Sequence, residues 1–204
     1  MNPGRERWMS NRRLRRLLRG IEEIMGSSGM NLVLRQSGLE RFAESLPPED
    51  DRPAILRTEY AALYKAIEDY LGSGARSSLV RIGRAAYMKS QPPAKAQRGV
   101  LGRVLAGRQA GRTRLDALRL AGEWLADKDE LAMVASEVDK AVLVTTATEA
   151  ASGRKTESPS CWLTLGAIQE ALRLGTGQEH EVVEAECQAA GAPACRFEVG
   201  PPLE

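Results

Sequence analysis

The sequence predicts an α+β domain, with a helical N-terminal half packed on an antiparallel sheet of about four strands. Two observations carry this. Up to about residue 125 the apolar residues recur at intervals of three and four, the period of a helix face. After Asp129 the chain breaks into short β-branched stretches separated by turn residues, with one further helical stripe between two strand pairs.

The first stripe is Leu14, Leu17, Leu18, Ile21, Ile24 and Met25, predicting a helix capped near Ser10 or Asn11 and ended at Gly26. Pro47, Pro48 and Pro53, among acidic residues, mark a loop. Tyr60, Leu63, Tyr64, Ile67 and Leu71 form a second stripe that stops at Gly72 and Gly74. A third helix is expected over Ser77–Lys89, broken by Pro92 and Pro93. Val100, Leu101, Val104 and Leu105, then Leu115, Leu118, Ala121 and Leu125, suggest two more helical pieces. Leu131–Val138 and Ala141–Thr146, divided by Asp139-Lys140, read as a strand pair, followed by a polar loop over Ala150–Ser160. Trp162, Leu165, Ile168 and Leu172 make a helix closed at Gly175 and Gly177. Strands are then expected about His180–Cys187 and Ala194–Val199, joined through Gly191-Ala192-Pro193.

Charge is divided along the chain. From Arg76 to Arg119 there are eleven Lys or Arg against one acid, and from Leu120 onward fifteen acids against six bases. Such a split suits either an anionic partner or the solvated faces of several helices. No aromatics interleave with the basic residues of segment 76–119, so direct nucleic-acid binding is not expected. No apolar run is long enough for a membrane span or a signal peptide, and the three cysteines suit a reducing compartment; the expectation is a cytoplasmic protein. Neither a phosphate-binding glycine loop nor a dinucleotide fingerprint is present. Histidine-based catalysis would rest on His180 alone, which lies among charged residues and reads as a solvated surface residue.

The chemistry concentrates near the end. Cys161, Glu184, Cys187 and Cys195 fall within 35 residues. Thiolates are soft ligands that suit zinc, and four ligands complete a tetrahedron. Cys161 precedes a helix, whose N-terminus favours a thiolate. Glu184 and Cys187 are three apart, an odd offset that points them to opposite faces of a regular strand, so a shared ion requires a turn or bulge between them. Buried inert thiols, or a Cys187–Cys195 disulfide, are the other readings of the same residues.

The stretch Cys161-Trp162, Gly166, Val183-Glu184-Ala185-Glu186-Cys187, Gly191 and Cys195-Arg196-Phe197 resembles the 4-vinyl reductase domain family. That family includes sensor domains of bacterial activators that respond to phenols and xylenes. The resemblance, strongest over residues 158–199, implies that Cys161, Glu184, Cys187 and Cys195 match the zinc ligands of those sensors. It also implies a fold related to nitric-oxide-signalling and Golgi-transport ligand-binding domains, built around a buried hydrophobic pocket and here closed by a zinc-tied C-terminal hairpin. The phenol sensors place a His before the zinc cysteines, whereas here His180 lies after Cys161, so that contact does not carry over.

The expectation is therefore residues 1–26 as a helical extension and 27–204 as the ligand-binding domain. Structural zinc would bind at residues 158–199, and Tyr64, Tyr87, Trp124 and Trp162 would line a pocket between helices and sheet. The pocket's apolar walls point to a hydrophobic, lipid-like small molecule. The first stripe, lying outside the recognisable domain, points to a homodimer. The leading function is a non-enzymatic sensor or carrier. The alternatives are an accessory protein or enzyme of tetrapyrrole metabolism, and a dimerisation scaffold with a vestigial pocket.

Overall fold

The computed structural model describes residues 8–91, 113–126, 132–137, 139–146, 148–151 and 153–203. The helical piece expected over Val100–Leu105 lies outside them, as does most of the basic segment.

A short antiparallel pair, β1 (Trp8–Ser10) with β2 (Pro53–Leu56), ties the start of the described chain to the proline loop. Helix α1 (Asn11–Gln36) follows β1 directly. Ser10 makes no side-chain cap; the amides of Asn11 and Arg12 instead bond the carbonyls of Arg52 and Asp50, each at 2.9 Å. The helix does not end at Gly26. That residue takes φ 71°, ψ 168°, a kink that glycine accepts without a Cβ penalty, and a second apolar face (Met30, Val33, Leu34) carries the helix onward.

The boundary expected at residue 26 thus falls inside one element. Leu14, Leu18 and Ile21 are fully buried in their own chain, so the stripe that suggested a homodimer is already covered. Helices α2 (Arg57–Leu71), α3 (Ala75–Ser90) and α4 (Arg114–Leu125) match the predicted stripes. Glu59 accepts the Leu56 amide at 2.8 Å at the start of α2, and Thr113 caps α4 by accepting from the Asp116 amide.

Strands β3 (Ala132–Glu137) and β4 (Lys140–Thr145) pair antiparallel around Asp139, whose φ of 62° makes the tight turn. Helix α5 (Trp162–Thr176) ends at Gly177 in the left-handed conformation, and β5 (His180–Glu186) and β6 (Cys195–Pro202) complete the described elements. Among the described residues the main sheet has four strands in the order β3-β4-β6-β5, every neighbour antiparallel.

One sheet face is buried. Ala141, Leu143 and Thr145 on β4 lie opposite Val199, Phe197 and Cys195 on β6, and all six are at most 2% exposed. Helix α4 covers β3 and β4, with Gly122 against Ala132 and Leu143, and α5 lies beside it. Helix α3 packs on α5 and α1 on α3, so the helices build outward from the sheet. No helix among the described residues is long and apolar enough to cross a membrane.

The described part of the basic segment is largely engaged at home. Arg84 pairs with Glu170 and Glu179, Lys89 with Glu23, and Arg119 with Asp116. Arg76 lies over the Trp162 ring, 4.6 Å from its centre.

Candidate functional site

The sheet's buried face carries Cys195 and Glu184 at the Thr145 end, and a defect in β5 brings Cys187 beside them. The pairing register slips between Glu184, opposite Phe197, and Glu186, opposite Arg196. Burial follows: Glu184 is buried, Ala185 and Glu186 are exposed, and Cys187 is buried again. This is the bulge that the odd spacing requires. Cys161 arrives from the other side as the residue preceding α5, its carbonyl accepting the Leu165 amide at 2.9 Å.

The potential ligand atoms of Cys161, Glu184, Cys187 and Cys195 all lie within 4.8 Å of one another, and all four residues are buried. Cys161 Sγ is 3.5 Å from Cys187 Sγ and 3.9 Å from Cys195 Sγ, and no pair forms a disulfide. Tetrahedral coordination with metal–sulfur bonds of about 2.3 Å sets neighbouring sulfurs about 3.8 Å apart. Glu184 Oε2 accepts the Cys161 amide at 2.7 Å, whereas Oε1 is buried with no hydrogen-bond partner. A buried carboxylate oxygen without a donor is costly, and a cation among the sulfurs would satisfy it. The residues present therefore fit a thiolate-rich divalent metal.

The electrostatics agree. Burial pushes the Glu184 carboxyl up to about 7. Contacts with Cys187 and Cys195, then burial, drive the Cys161 thiol far above its ordinary range. The same contacts pull Cys187 well below its own, against burial. Cys195 is pulled down by Cys161, but Cys187 and burial override this and leave it pushed up to about 12. One sulfur thus carries negative charge that its neighbours' protons stabilise, a place a metal ion would take.

Two residues hold this site that the spacing of the sequence does not reveal. Tyr64 donates its hydroxyl to Ser160 O at 2.7 Å and accepts the Trp162 amide at 3.1 Å, bracketing Cys161 from α2. The Arg154 guanidinium stacks 3.8 Å from the centre of that ring and pairs with Glu68 at 2.9 Å. Both act across long sequence separations, for which a single chain carries no local signal.

A cavity of about 40 Å³ lies among the helices, walled in part by Met9, Leu17, Tyr60, Trp124 and Leu163. Tyr87 stands edge-on to Trp124, ring centres 5.5 Å apart. Of the four pocket residues expected, Trp124 lines this cavity and Tyr87 backs it. Tyr64 serves the metal side, and Trp162 lies under Arg76. The space is smaller than a lipid-like ligand requires, since a single water occupies roughly 10–15 Å³ on this measure.

His180 is not a solvated surface residue. It is 2% exposed, at an inward position of β5, with its ring nitrogens 3.1 Å from Gly200 O and 3.3 Å from Thr176 Oγ1.

These features have counterparts. Residues 142–201 match the model of the 4-vinyl reductase domain. The matched segment takes in most of β4, all of α5 and the β5–β6 hairpin, and with them all four potential ligands. No curated protein matches the chain in sequence. Solved structures extend the likeness beyond that segment. An H-NOX protein from K. algicida, in its Fe(II) unliganded form, is 10% identical with a TM-score of 0.59, covering 96% of this chain and 97% of its own. One from S. oneidensis, in an Fe(II)NO ligation state, is 13% identical at a TM-score of 0.53, covering 94% and 98%. The phenol-responsive sensory domain of the transcription activator PoxR, solved with phenol, is 18% identical at 0.47, covering 75% and 78%. The chain around the matched segment has the H-NOX-like fold, helices of the N-terminal half included.

Proposed function

We propose that this chain is a non-enzymatic sensor or carrier domain for a small hydrophobic molecule, stabilised by one structural zinc held by Cys161, Glu184, Cys187 and Cys195. The observation that carries the metal is the pair of sulfur separations near 3.8 Å together with the partnerless Oε1 of Glu184. All four positions come from protein side chains, which suits a closed site rather than a catalytic one. Zinc there ties the start of α5 to both strands of the closing hairpin.

The H-NOX proteins named above carry iron in their printed descriptions. The residues here do not fit a histidine-ligated haem, because the chain's one histidine is His180, committed at β5. The ligand is instead assigned to the cavity beside Trp124, whose volume suits a molecule of a few heavy atoms unless the helices part.

Native mass spectrometry and elemental analysis of reduced, untagged protein test both halves. One zinc per chain is expected, lost in Cys187→Ser and Cys195→Ser together with a fall in thermal stability, because structural zinc contributes folding free energy directly. Metal-free wild type, or unchanged metal content and stability in both variants, would sink the zinc. Calorimetry with small aromatics and with fatty acids then reads the ligand, and binding of neither class would remove the carrier reading. Light scattering decides whether a homodimer forms, now that α1 supplies no free stripe for one.

A further inference from the structure

Cys195 Sγ is met by two hydrogen-bonding groups from outside the four ligand positions. Thr148, fully buried, places its Oγ1 2.9 Å from the sulfur. The Gln188 backbone amide donates to the same sulfur at 3.3 Å. Thr148 is itself fixed, since its carbonyl accepts the Ala151 amide at 3.0 Å and opens a short 3-10 turn.

The Thr148 hydroxyl also lies 3.3 Å from Gln188 Oε1, and its single proton serves one acceptor at a time. A thiol at Cys195 donates its own proton to Thr148 Oγ1, leaving the hydroxyl proton for Gln188 Oε1. A thiolate has lone pairs only, so the hydroxyl proton turns to the sulfur. Metal binding removes the thiol proton and so selects the second arrangement. Three thiolates and a carboxylate around a divalent cation leave negative charge over, which donors to sulfur offset.

We propose that Thr148 is a positioning residue of the metal site, its hydroxyl turning to hold Cys195 as the metal-bound thiolate with the Gln188 amide as second donor. This rests on the zinc reading above. Thr148 touches no other potential ligand among the described contacts and contributes no ligand atom of its own.

Thr148→Ala and Thr148→Ser separate the hydroxyl from the packing, since the two variants differ by that group alone. Zinc affinity is read by competition with a chromophoric chelator on the full chain. Cobalt(II) then replaces zinc as a spectroscopic probe. Thr148→Ala is expected to lose about 10- to 100-fold in zinc affinity, with the sulfur-to-cobalt charge-transfer band moved to longer wavelength. Thr148→Ser should restore both towards wild type. Circular dichroism of the metal-loaded forms checks that each is folded, and the cobalt band reports the bound site directly even if metal-free Thr148→Ala is unstable. Equal zinc affinity and equal bands in Ala and Ser variants would overturn the role of Thr148. A wild type that takes up neither metal would overturn the zinc reading itself, a result visible before any variant is compared.

Discussion

The hydroxyl of Tyr64 bonds the residues on either side of Cys161, and burial pushes its pKa far above that of an ordinary phenol, so it stays protonated and able to donate. Tyr64→Phe keeps the ring and its stacking with Arg154 but leaves the Ser160 carbonyl and the Trp162 amide to other partners. A loss of about 1–3 kcal/mol is expected from those unsatisfied groups, read as a lower urea midpoint at unchanged slope, with faster loss of metal to a chelator. An unchanged midpoint would mean that Arg154, which also reaches Ser160 O, holds the loop alone. At this scale the ligands were legible, because three cysteines and an acid crowd one short segment and match a family pattern. Tyr64 and Thr148 were not, because a hydroxyl's partner 96 or 47 residues away leaves no trace in spacing.

Among the elements, α3 is gripped on two sides through glycines. A Cβ on Gly20 of α1 would stand 2.8 Å from Ile82 O. On the other side, Cβ atoms on Gly83 and on Gly166 would each overlap a carbonyl oxygen, Leu163 O and Val80 O respectively. These are backbone atoms, which cannot rotate aside as a side-chain tip can. Gly166→Ala should therefore force α3 and α5 apart, at a cost of about 3 kcal/mol or more, despite alanine's better helix propensity. Denaturant unfolding measures it, and a stabilised variant would refute the close crossing. Helix stripes, strand pairs and their order could be read from periodicity. The glycine contacts could not, since a glycine within a helix reads only as a weak point, and the bulge at Ala185 has neither Gly nor Pro to announce it. The small volume beside Trp124 is likewise a product of side-chain packing, which apolar composition alone does not fix.

For the molecule as a whole, the decisive departure from the sequence reading is that α1 is core and not an appendage. Removing residues 1–26 takes away Leu14, Leu18 and Ile21, each fully buried, along with the strand that pairs with β2. The truncated chain is expected to lose its cooperative unfolding transition by circular dichroism. A sharp transition of wild-type slope would instead restore the boundary that the first stripe suggested.

The strand order has a further consequence. β6 is the last strand along the chain, yet it lies between β4 and β5 in the sheet. During synthesis β4 and β5 leave the ribosome with no partner strand between them, and β4 waits some fifty residues for Cys195–Val199 to emerge. Until then the nascent chain displays half-made strands, and the site's last ligand, Cys195, arrives with the strand that closes the gap. A chaperone that shields β edges would have its work at that interval, and metal capture would mark its end.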